Sequence, residues 1–345
     1  MHYAKVTKSK AETLKCLLVK EKLLDHKRKA KHGSRYVYFP LIDARTKTKK
    51  LIGSSAKLIN RKDDGTKGHL TYSELLEGAL SKDELKLLAR GYDAFGSIAI
   101  IEIPDELQPK ARAIAGAILK SNKHIKTVFA KAGAVSGLYR IRRVRYIAGE
   151  KTSMAHHVEN GCTFVFDIRK TFFSPRLSYE RNRICKLAKS SENIAVPFAG
   201  VGPFAIEIGK THPNSNIIAI ELNRQAYNYM VKNISINKTR NVVPICGDFS
   251  RIAKEHRDWA DRIVMPSPTT TMNFLGSVIQ MAKKSATVHM YVFCDAKNGI
   301  NKKQEEITKF MKKNGYKTSF LFSRIVRTYS KNEIEAAIDF TISKI

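Results

Sequence analysis

Acidic residues are scarce in this chain of 345 residues: 31 Asp and Glu residues stand against 62 Lys and Arg residues, which gives a formal net charge of +31. Such an excess of positive charge indicates a large polyanionic partner, and nucleic acid is the simplest one. The alternative is a general bias toward lysine that spreads charge over the surface without any such partner. The hydrophobic share of 43% is ordinary, and the length allows two or three domains with buried cores.

Cysteine is scarce as well, and long apolar runs are missing. The cysteines are scattered and form no C-x-x-C pair: Cys16, Cys162, Cys185, Cys246 and Cys294. This pattern excludes a disulfide framework and a structural zinc site, and it fits a reducing cytoplasm. The adjacent His156 and His157 point to opposite faces of a predicted strand, so they predict no metal site. No run is long enough to span a membrane, and residues 1–10 lack the apolar core of a signal peptide. We expect a soluble, cytoplasmic monomer without a metal.

Three regions with different patterns follow one another along the chain. Residues 1–62 predict a small basic domain, and the stretch 1–68 carries 19 Lys and Arg residues against six Asp and Glu residues. Aromatic residues interleaved with cations suit RNA binding there, although a solvated basic face fits equally well. Residues 47–68 are polar and predict a linker. Residues 69–160 predict an α+β domain, and residues 161–345 predict an α/β domain with a mostly parallel sheet.

The most cationic predicted strand covers residues 136–147. Strict alternation along a strand places Arg140 and Arg142 on one face and Arg143 and Arg145 on the other. Arginines on both faces cannot all be buried, so at least one face is expected to meet solvent or phosphate.

The centre of the third region is the stretch 193–210, where an apolar run leads into Ala-Gly-Val-Gly-Pro. The apolar run predicts a buried parallel strand. Gly200 and Gly202 allow a sharp turn without side chains, and Pro203 suits the first turn of a helix. A strand, a glycine turn and a helix N-terminus together predict a backbone cradle for a nucleotide-like ligand.

Two acidic residues downstream support an adenosine-binding interpretation. Glu221 ends a second predicted strand 21 residues after Gly200, and Asp248 ends a third. In doubly wound folds an acid at the end of the second strand binds the ribose hydroxyls, and a second acid suits the adenine amino group. The alternative is an ordinary α/β domain whose strand ends happen to be acidic. Seven predicted strands, with the last two forming a hairpin, are typical of the Rossmann-like methyltransferase fold.

Several motifs carry a family resemblance. They are T-F-F-S-P-R-L-S-Y-E-R-N-R at 171–183, F-A-G-V-G-P-F at 198–204 and V-S-G-L-Y-R-I-R at 135–142. Together with residues 157–161 and 36–40 they resemble, in the same order along nearly the whole chain, the archaeal and eukaryotic tRNA (guanine, position 37, N1) methyltransferases. The first motif is specific, whereas the second is shared with neighbouring families. The resemblance implies a Rossmann-like class I methyltransferase domain preceded by two smaller α+β domains that bind tRNA.

The chemistry of that family implies roles for individual residues. In such enzymes S-adenosyl-L-methionine donates a methyl group to N1 of a guanosine beside the anticodon, and N1 carries a proton that must leave. The resemblance implies that Glu180 is the general base, that Arg140 holds the guanine oxygen where negative charge builds up, and that Pro268 belongs to the catalytic loop. It implies cofactor binding by Phe198, Gly200, Gly202, Glu221 and Asp248. It implies tRNA contacts by Arg176, Arg181, Phe172, Arg142 and Lys131, with Phe172 beside the target base.

Other interpretations remain open from the residues themselves. Arg176 and Glu180 lie one turn apart at the start of a predicted helix, and without the resemblance an intrahelical ion pair is the favoured interpretation. The continuation 270–275 is similar to a sister family that transfers an aminocarboxypropyl group from the same cofactor during wybutosine synthesis. A third alternative is an RNA-binding protein that has lost catalysis.

Two positions depart from the family pattern. Val196 stands where the family usually has an acid at the end of the first strand, and Pro266 stands where an asparagine helps to orient the base. Because proline has no side-chain amide, we hypothesise that Ser267 or Thr269 donates a hydrogen bond in its place.

Overall fold

The computed structural model describes residues 2–25, 28–42, 46–61, 70–133, 137 and 139–345. The chain divides into two compact units, each built from two stretches. The first unit comprises Met1–Arg90 and Ile103–Ile125, and the second comprises Gly91–Glu102 and Lys126–Ile345. Within the described residues, none of the helices combines the length and the apolar character that crossing a membrane requires.

The first unit begins with a small antiparallel sheet. Its strands are β1 (His2–Thr7), β2 (Lys31–His32), β3 (Tyr36–Pro40) and β4 (Lys57–Asn60), in the order β2-β3-β1-β4. Alternate residues of β1, Ala4 and Val6, are buried against Leu14 and Leu18 of helix α1 (Ala11–Lys20). The sheet therefore keeps one face apolar, as period-two alternation demands.

The predicted linker over residues 47–68 is wrong for the part that the structure describes. Helix α2 (Thr46–Ile52) and strand β4 occupy that stretch, and Ile52 is buried in the core of the small sheet. A single buried apolar residue in a lysine-rich helix gave too weak a periodic signal. Residues 62–69 lie outside the described residues.

Two further helices complete the first unit. Helix α3 (Lys82–Leu87) starts at a capping box, in which the Ser81 hydroxyl accepts from the Glu84 amide and the Glu84 carboxylate accepts from the Ser81 amide. Helix α4 (Ala111–Ser121) buries Ile114 and Ile118 completely.

The second unit contains a four-stranded sheet that corrects the prediction for the cationic strand. Its strands are β5 (Asp93–Phe95), β6 (Ile98–Ile101), β7 (Thr127–Lys131) and β8 (Val144–Gly149), in chain order across the sheet. Strand β8 begins only at Val144. Arg140 precedes it with a left-handed φ of 51°, so Arg140 and Arg142 do not alternate with Arg143 as strand neighbours.

A hairpin lies along the chain between this sheet and the larger one, and the predicted domain boundary at 160/161 falls within it. Strands β9 (Met154–Glu159) and β10 (Cys162–Asp167) pair in antiparallel register around Asn160 and Gly161, both with positive φ. A boundary there would cut every hydrogen bond of the pair. Phe164 of β10 is buried together with Val201 and Ile206 beyond the hairpin. The same cluster includes Phe95, Ile98, Ile100 and Phe129 of the four-stranded sheet, so the hairpin packs against residues on both sides of it in the chain.

A seven-stranded sheet forms the rest of the second unit. Its strands are β11 (Asn193–Pro197), β12 (Asn216–Glu221), β13 (Val242–Cys246), β14 (Ala260–Met265), β15 (Ala282–Asp295), β16 (Tyr316–Thr328) and β17 (Glu333–Lys344). Their order is β13-β12-β11-β14-β15-β17-β16, with β11 to β15 parallel and β17 antiparallel to both neighbours. The predicted α/β class and the predicted terminal hairpin are both confirmed.

Six helices accompany that sheet. They are α5 (Ser178–Leu187), α6 (Pro203–Thr211), α7 (Arg224–Asn237), α8 (Phe249–Glu255), α9 (Leu275–Met281) and α10 (Gly299–Lys313). Apolar clusters cover both faces of the sheet, so central strands are buried on both sides. Ile194, Ala195 and Val196 of β11 have no exposed surface. The position where the family usually carries an acid is thus an apolar core position in this chain.

Candidate active site

A cavity of about 200 Å³ lies at the carboxyl ends of strands β11 to β14. Its wall contains residues that directly follow each strand, among them Gly200, Leu222, Asp248 and Pro266. The strand order reverses at β11, which is flanked by β12 and β14. In open α/β sheets a ligand binds at such a switch point, outside the carboxyl ends of the strands.

The glycine turn reaches the cavity through Gly200, whereas Gly202 does not line it. Gly200 and Gly202 have φ values of 59° and 91°, the left-handed region that glycine adopts without strain. A Cβ on Gly202 would lie 2.9 Å from side-chain atoms of Ile206 and Met230, whereas a Cβ on Gly200 would meet only the Phe172 carbonyl oxygen at 3.6 Å. Gly202 is thus needed for packing, and Gly200 leaves bare backbone toward the cavity.

Glu221 is fixed against the glycine turn. The Gly200 amide donates to its Oε2 at 2.7 Å, and the Asn223 amide donates to its Oε1 at 2.7 Å. Burial raises the pKa of the Glu221 carboxyl, while the backbone amides oppose that shift. Both carboxylate oxygens are held rigidly, and each keeps a further acceptor position for a ligand hydroxyl.

Asp248 and three aromatic side chains also line the cavity. Asp248 caps helix α8 through Oδ1, which accepts from the Ser250 amide at 2.8 Å. Phe198, Phe249 and Phe274 line the cavity and contact each other, with ring centroids of Phe198 and Phe274 4.9 Å apart. We did not predict Phe249 or Phe274 as site residues, although Phe249 directly follows Asp248 in the sequence.

Arg140 lies at the other end of the cavity. Its guanidinium stacks on the rings of Phe172 and Phe293, 5.6 and 5.5 Å from their centroids, and Nη1 donates to Thr269 Oγ1 at 2.8 Å. Burial lowers the pKa of Arg140, but arginine remains charged at any ordinary pH. A fixed, partly desolvated cation at this point can stabilise an anion that forms on a bound base.

The loop after β14 contributes Pro266, Ser267, Pro268 and Thr269 to the cavity wall. The Ser267 hydroxyl lies 3.1 Å from the Thr270 hydroxyl and points into the loop's own hydrogen bonds. Thr269 accepts from Arg140 through its oxygen, so its hydroxyl proton is left to donate. Of the two hydroxyls that we considered in place of the asparagine, Thr269 is the one beside Arg140.

Glu180 does not line the cavity. Its side chain is 2% exposed, and Oε2 accepts from the Tyr291 hydroxyl and from Arg183 Nε, both at 2.9 Å. The alternative of an ion pair between Arg176 and Glu180 is wrong, because Arg176 Nε donates to Asp93 at 2.7 Å. Arg176 precedes helix α5 in a 3-10 turn, which changes its direction relative to Glu180.

Arg181 is placed in the interior, which contradicts its predicted contact with RNA. Its guanidinium is 1% exposed and pairs with Glu159 at 2.6 Å and with Glu207 at 3.2 Å. Burial opposes ionisation of Glu159, but hydrogen bonds from His157 and Arg181 outweigh it and lower its pKa. Burial raises the pKa of Glu207 to about 8. The cluster joins the β9–β10 hairpin to helices α5 and α6.

The other predicted RNA contacts differ in exposure. Phe172 lines the cavity. Arg142 is largely buried against Asp93, and Arg176 shares that carboxylate with 55% of its own side chain exposed. Lys131 pairs with Glu102 at 2.7 Å on the surface. Among the described residues, no group of three His, Cys, Asp or Glu side chains is arranged to hold a metal ion.

Comparison with sequence models of protein families matches three consecutive parts of the chain. Residues 5–49 match the tRNA methyltransferase 5 N-terminal domain, residues 72–152 match the TYW2 N-terminal domain, and residues 155–319 match the TRM5/TYW2 methyltransferase domain.

Two curated relatives illustrate the range of similarity. The chain is 32% identical to the tRNA (guanine(37)-N(1))-methyltransferase Trm5b of Pyrococcus abyssi, over 98% of both chains. It is 34% identical to the tRNA 4-demethylwyosine(37)-methyltransferase Taw21 of Saccharolobus solfataricus, over 71% of this chain and 90% of that protein.

Three solved structures are similar to this chain over nearly its whole length. Trm5b from Pyrococcus abyssi superimposes with a TM-score of 0.73 and 31% identity over 99% of each chain. A complex of aTrm5 with tRNALeu gives 0.69 and 28% over 99% of each chain. Trm5 of Methanocaldococcus jannaschii in complex with adenosine gives 0.67 and 26% over 100% of each chain.

Proposed function

The chain belongs to the TRM5/TYW2 methyltransferase family, and from that premise we propose that it transfers a methyl group from S-adenosyl-L-methionine to N1 of guanosine 37 in tRNA. The observation that carries this proposal is the 32% identity to a tRNA (guanine(37)-N(1))-methyltransferase over 98% of both chains. A match of that extent includes the methyltransferase domain and everything that precedes it.

The cavity fits the adenosyl part of the methyl donor. Glu221 presents two fixed carboxylate oxygens to ribose hydroxyls, and Asp248 faces the position for an adenine amino group. The bare backbone of Gly200 and the ring of Phe198 complete that surface. When bound, S-adenosyl-L-methionine supplies an electrophilic methyl group, and the residues of the chain orient it and exclude water.

The guanine needs a base and a counter-charge. Loss of the N1 proton leaves negative charge on the guanine oxygen, and Arg140 supports that charge from the cavity mouth. Glu180 accepts the proton, and Thr269 donates a hydrogen bond in place of the asparagine that Pro266 cannot supply. Phe172, which stacks under Arg140, offers a flat apolar surface to the flipped base.

The first unit and several arginines bind the tRNA. In its small sheet, Lys5 stacks on Tyr36 and Arg61 stacks on Tyr38, with 4.0 and 4.4 Å from charge to ring centroid. Such pairs combine attraction for phosphates with stacking surfaces. Arg176 and Lys131 extend the cationic surface in the second unit. The protein acts in the cytoplasm as a monomer.

The test is a modification assay on unmodified tRNA. We expect N1-methylguanosine in the nucleosides of a tRNA with guanosine at position 37, and none with the same tRNA carrying adenosine there. Mass spectrometry of the digested tRNA identifies the product. Absence of N1-methylguanosine from the first tRNA would reject the proposed activity.

Methylation of 4-demethylwyosine at the same position is a second candidate, because a relative with that name is 34% identical over 71% of this chain. Aminocarboxypropyl transfer is the further alternative within the family. The same assay with tRNA that contains 4-demethylwyosine separates them, because the two groups add different masses. A protein that binds tRNA but no S-adenosyl-L-methionine in calorimetry would instead be a binding protein without catalysis.

A further inference from the structure

We propose that Tyr291 and Arg183 are positioning residues that hold Oε2 of Glu180, so that Oε1 of the same carboxylate accepts the N1 proton of the substrate base. This inference rests on the proposed function. It assigns a role to Tyr291, which lies outside the family motifs that we used, and to Arg183, the last residue of the motif at 171–183.

The Tyr291 hydroxyl can act only as a donor to Glu180 over the ordinary pH range. It lies 2.9 Å from Oε2, and the side chain has no exposed surface. Burial and the charge of Glu180 raise the pKa of Tyr291 well above its ordinary value, so the phenol keeps its proton. A neutral hydroxyl donating to a carboxylate fixes the orientation of that carboxylate without neutralising it.

Arg183 is held from behind by a second buried carboxylate. Its Nε donates to Glu180 Oε2 at 2.9 Å, while its two terminal nitrogens contact Asp339. Burial opposes ionisation of Asp339, but hydrogen bonds from His289 and Arg183 lower its pKa, so it stays charged. His289 lies 3.0 Å behind Asp339 and is buried too. The guanidinium therefore has one rigid position, with its edge aimed at Glu180.

The two oxygens of Glu180 are not equivalent. Oε2 has two donors, whereas Oε1 is buried and has no hydrogen-bond partner among the described residues. A buried, unpartnered carboxylate oxygen is costly and calls for an explanation. Arg324 forms an ion pair with Oε1, with Nη1 at 3.5 Å, although it makes no hydrogen bond to it. The Arg324 side chain is partly exposed and stacks on the exposed Tyr179. Oε1 thus faces a partly exposed side chain, whereas Oε2 faces the buried Tyr291 and Arg183.

The strand register connects Glu180 to the Arg140 end of the cavity. Tyr291 and Phe293 lie two residues apart on β15, hence on the same face and about 7 Å from each other along the strand. Tyr291 contacts Glu180, and Phe293 lies under the Arg140 guanidinium. Glu180 and Arg140 therefore contact two side chains that are neighbours on one face of β15. Arg140 is the cation that we assign to the guanine oxygen.

Transfer of the N1 proton requires only the guanine and Glu180. The N1–H bond of guanine breaks, the proton goes to Oε1 of Glu180, and the electron pair stays on N1. That pair would form the bond to the methyl carbon of the bound donor while the bond from that carbon to the sulfonium sulfur breaks, and the electron pair of the broken bond would stay on sulfur. Tyr291 keeps its own proton throughout, and Arg183 keeps its charge. Both residues act through Glu180 and do not touch the base.

The test compares Tyr291→Phe with Tyr316→Phe, a matched control in which a buried tyrosine of the same sheet loses its hydroxyl far from Glu180. We expect the single-turnover rate constant of Tyr291→Phe to fall roughly 10-fold at saturating substrates. The dissociation constants of S-adenosyl-L-methionine and tRNA are expected to stay unchanged, because Tyr291 lines no part of the cavity. The control is expected to keep the wild-type rate.

The pH–rate profile gives a readout that a structural role would not move. Groups facing Glu180 are Arg183 on its own helix, Tyr291 on β15 and Arg324 on β16, with Asp339 on β17 behind Arg183. Loss of the Tyr291 donor leaves Arg183 as the one remaining hydrogen-bond donor to Oε2, so the acid limb of the profile is expected to shift in Tyr291→Phe. Arg183→Lys keeps a positive charge but loses the planar set of guanidinium donors, and it is expected to move the acid limb in the same direction.

A double variant separates positioning from general damage. Because Tyr291 acts through Glu180, adding Tyr291→Phe to Glu180→Gln should cost less than twofold further. The inference is overturned if Tyr291→Phe has the same single-turnover rate constant as Tyr316→Phe. It is also overturned if Tyr291→Phe lowers the rate constant of the Glu180→Gln protein by the same factor as that of the wild type. If the wild-type protein itself forms no N1-methylguanosine, the proposed function fails, which is a separate result.

Discussion

The cofactor cavity and the Glu180 cluster are built on the same sheet by different means. In the cavity, the backbone amides of Gly200 and Asn223 hold Glu221, so elements that are neighbours in sequence make the site. Around Glu180, side chains from α5, β15 and β17 meet across 111 and 156 positions of sequence. The comparison teaches that binding geometry is local in this fold, whereas the environment of the base depends on long-range packing. We therefore expect variants in the two regions to fail in different ways.

The largest effect is expected from Glu180→Gln. Removing a general base costs on the order of 100-fold or more in rate, while the amide keeps the shape of the side chain. We expect the single-turnover rate constant to fall by at least about 100-fold with an unchanged dissociation constant for S-adenosyl-L-methionine. Glu102→Gln, an exposed surface carboxylate, is the control. Equal losses in rate and in cofactor affinity would remove Glu180 from the role of base.

Gly202→Ala is expected to damage the cavity itself. The new Cβ would lie 2.9 Å from atoms of Ile206 and Met230 at a φ of 91°, so both packing and backbone are strained. We expect a loss of about 1–3 kcal/mol in the free energy of unfolding and weaker cofactor binding. Gly276→Ala serves as the control, because its Cβ would meet only one side-chain atom at 4.0 Å, within a helix. Equal stability of the two variants in urea unfolding would contradict the packing role of Gly202.

Variants of Arg181 and Arg176 are expected to separate a structural role from an RNA-binding role. Arg181→Ala leaves Glu159 and Glu207 buried without their cation, and we expect destabilisation of about 3–5 kcal/mol. Arg176→Ala removes a half-exposed side chain, so we expect normal stability, weaker tRNA binding and a smaller salt dependence. Urea unfolding and tRNA titrations at two salt concentrations measure both. Weak tRNA binding by a stable Arg181→Ala protein would restore Arg181 as an RNA contact.

The smallest effect is expected from Glu207→Gln, as a change in pH dependence. The folded-state pKa of about 8 lies above the ordinary value of 4.5, so the folded protein binds more protons than the unfolded chain between these values. This carboxyl therefore makes stability fall as pH rises from about 4.5 to 8, after which its effect is constant. We expect Glu207→Gln to reduce the fall in the urea midpoint between pH 5.5 and pH 8. An unchanged pH dependence would contradict the shifted pKa.

The sequence allowed prediction of what depends on local pattern. The glycine turn, Glu221 and Asp248 lie within short distances of strand ends that apolar runs mark clearly, and the terminal hairpin alternates strongly. The tRNA contact of Arg181 was implied by the family resemblance alone, and the structure places its side chain in the interior. Its partner Glu159 lies 22 positions away on a hairpin, which no helical or strand period reveals.

The environment of Glu180 illustrates the same limit. The one available signal was the presence of His289 and Tyr291 within an otherwise apolar buried strand, where polar side chains need partners. That signal indicates buried hydrogen bonds but not which residues make them. The register of β15 against β17 brings Asp339 beside His289, and only the three-dimensional arrangement of the sheet shows it.

The most direct test of the division between cavity and base is a parallel titration of S-adenosyl-L-methionine under single-turnover conditions with wild type, Glu180→Gln and Glu221→Gln. We predict that Glu180→Gln lowers the plateau rate and leaves the half-saturating concentration unchanged. Glu221→Gln is predicted to raise the half-saturating concentration roughly 10-fold, as expected for a charged hydrogen bond, and to leave the plateau nearly unchanged. The opposite pattern, or equal changes of plateau and half-saturation in both variants, would contradict the account.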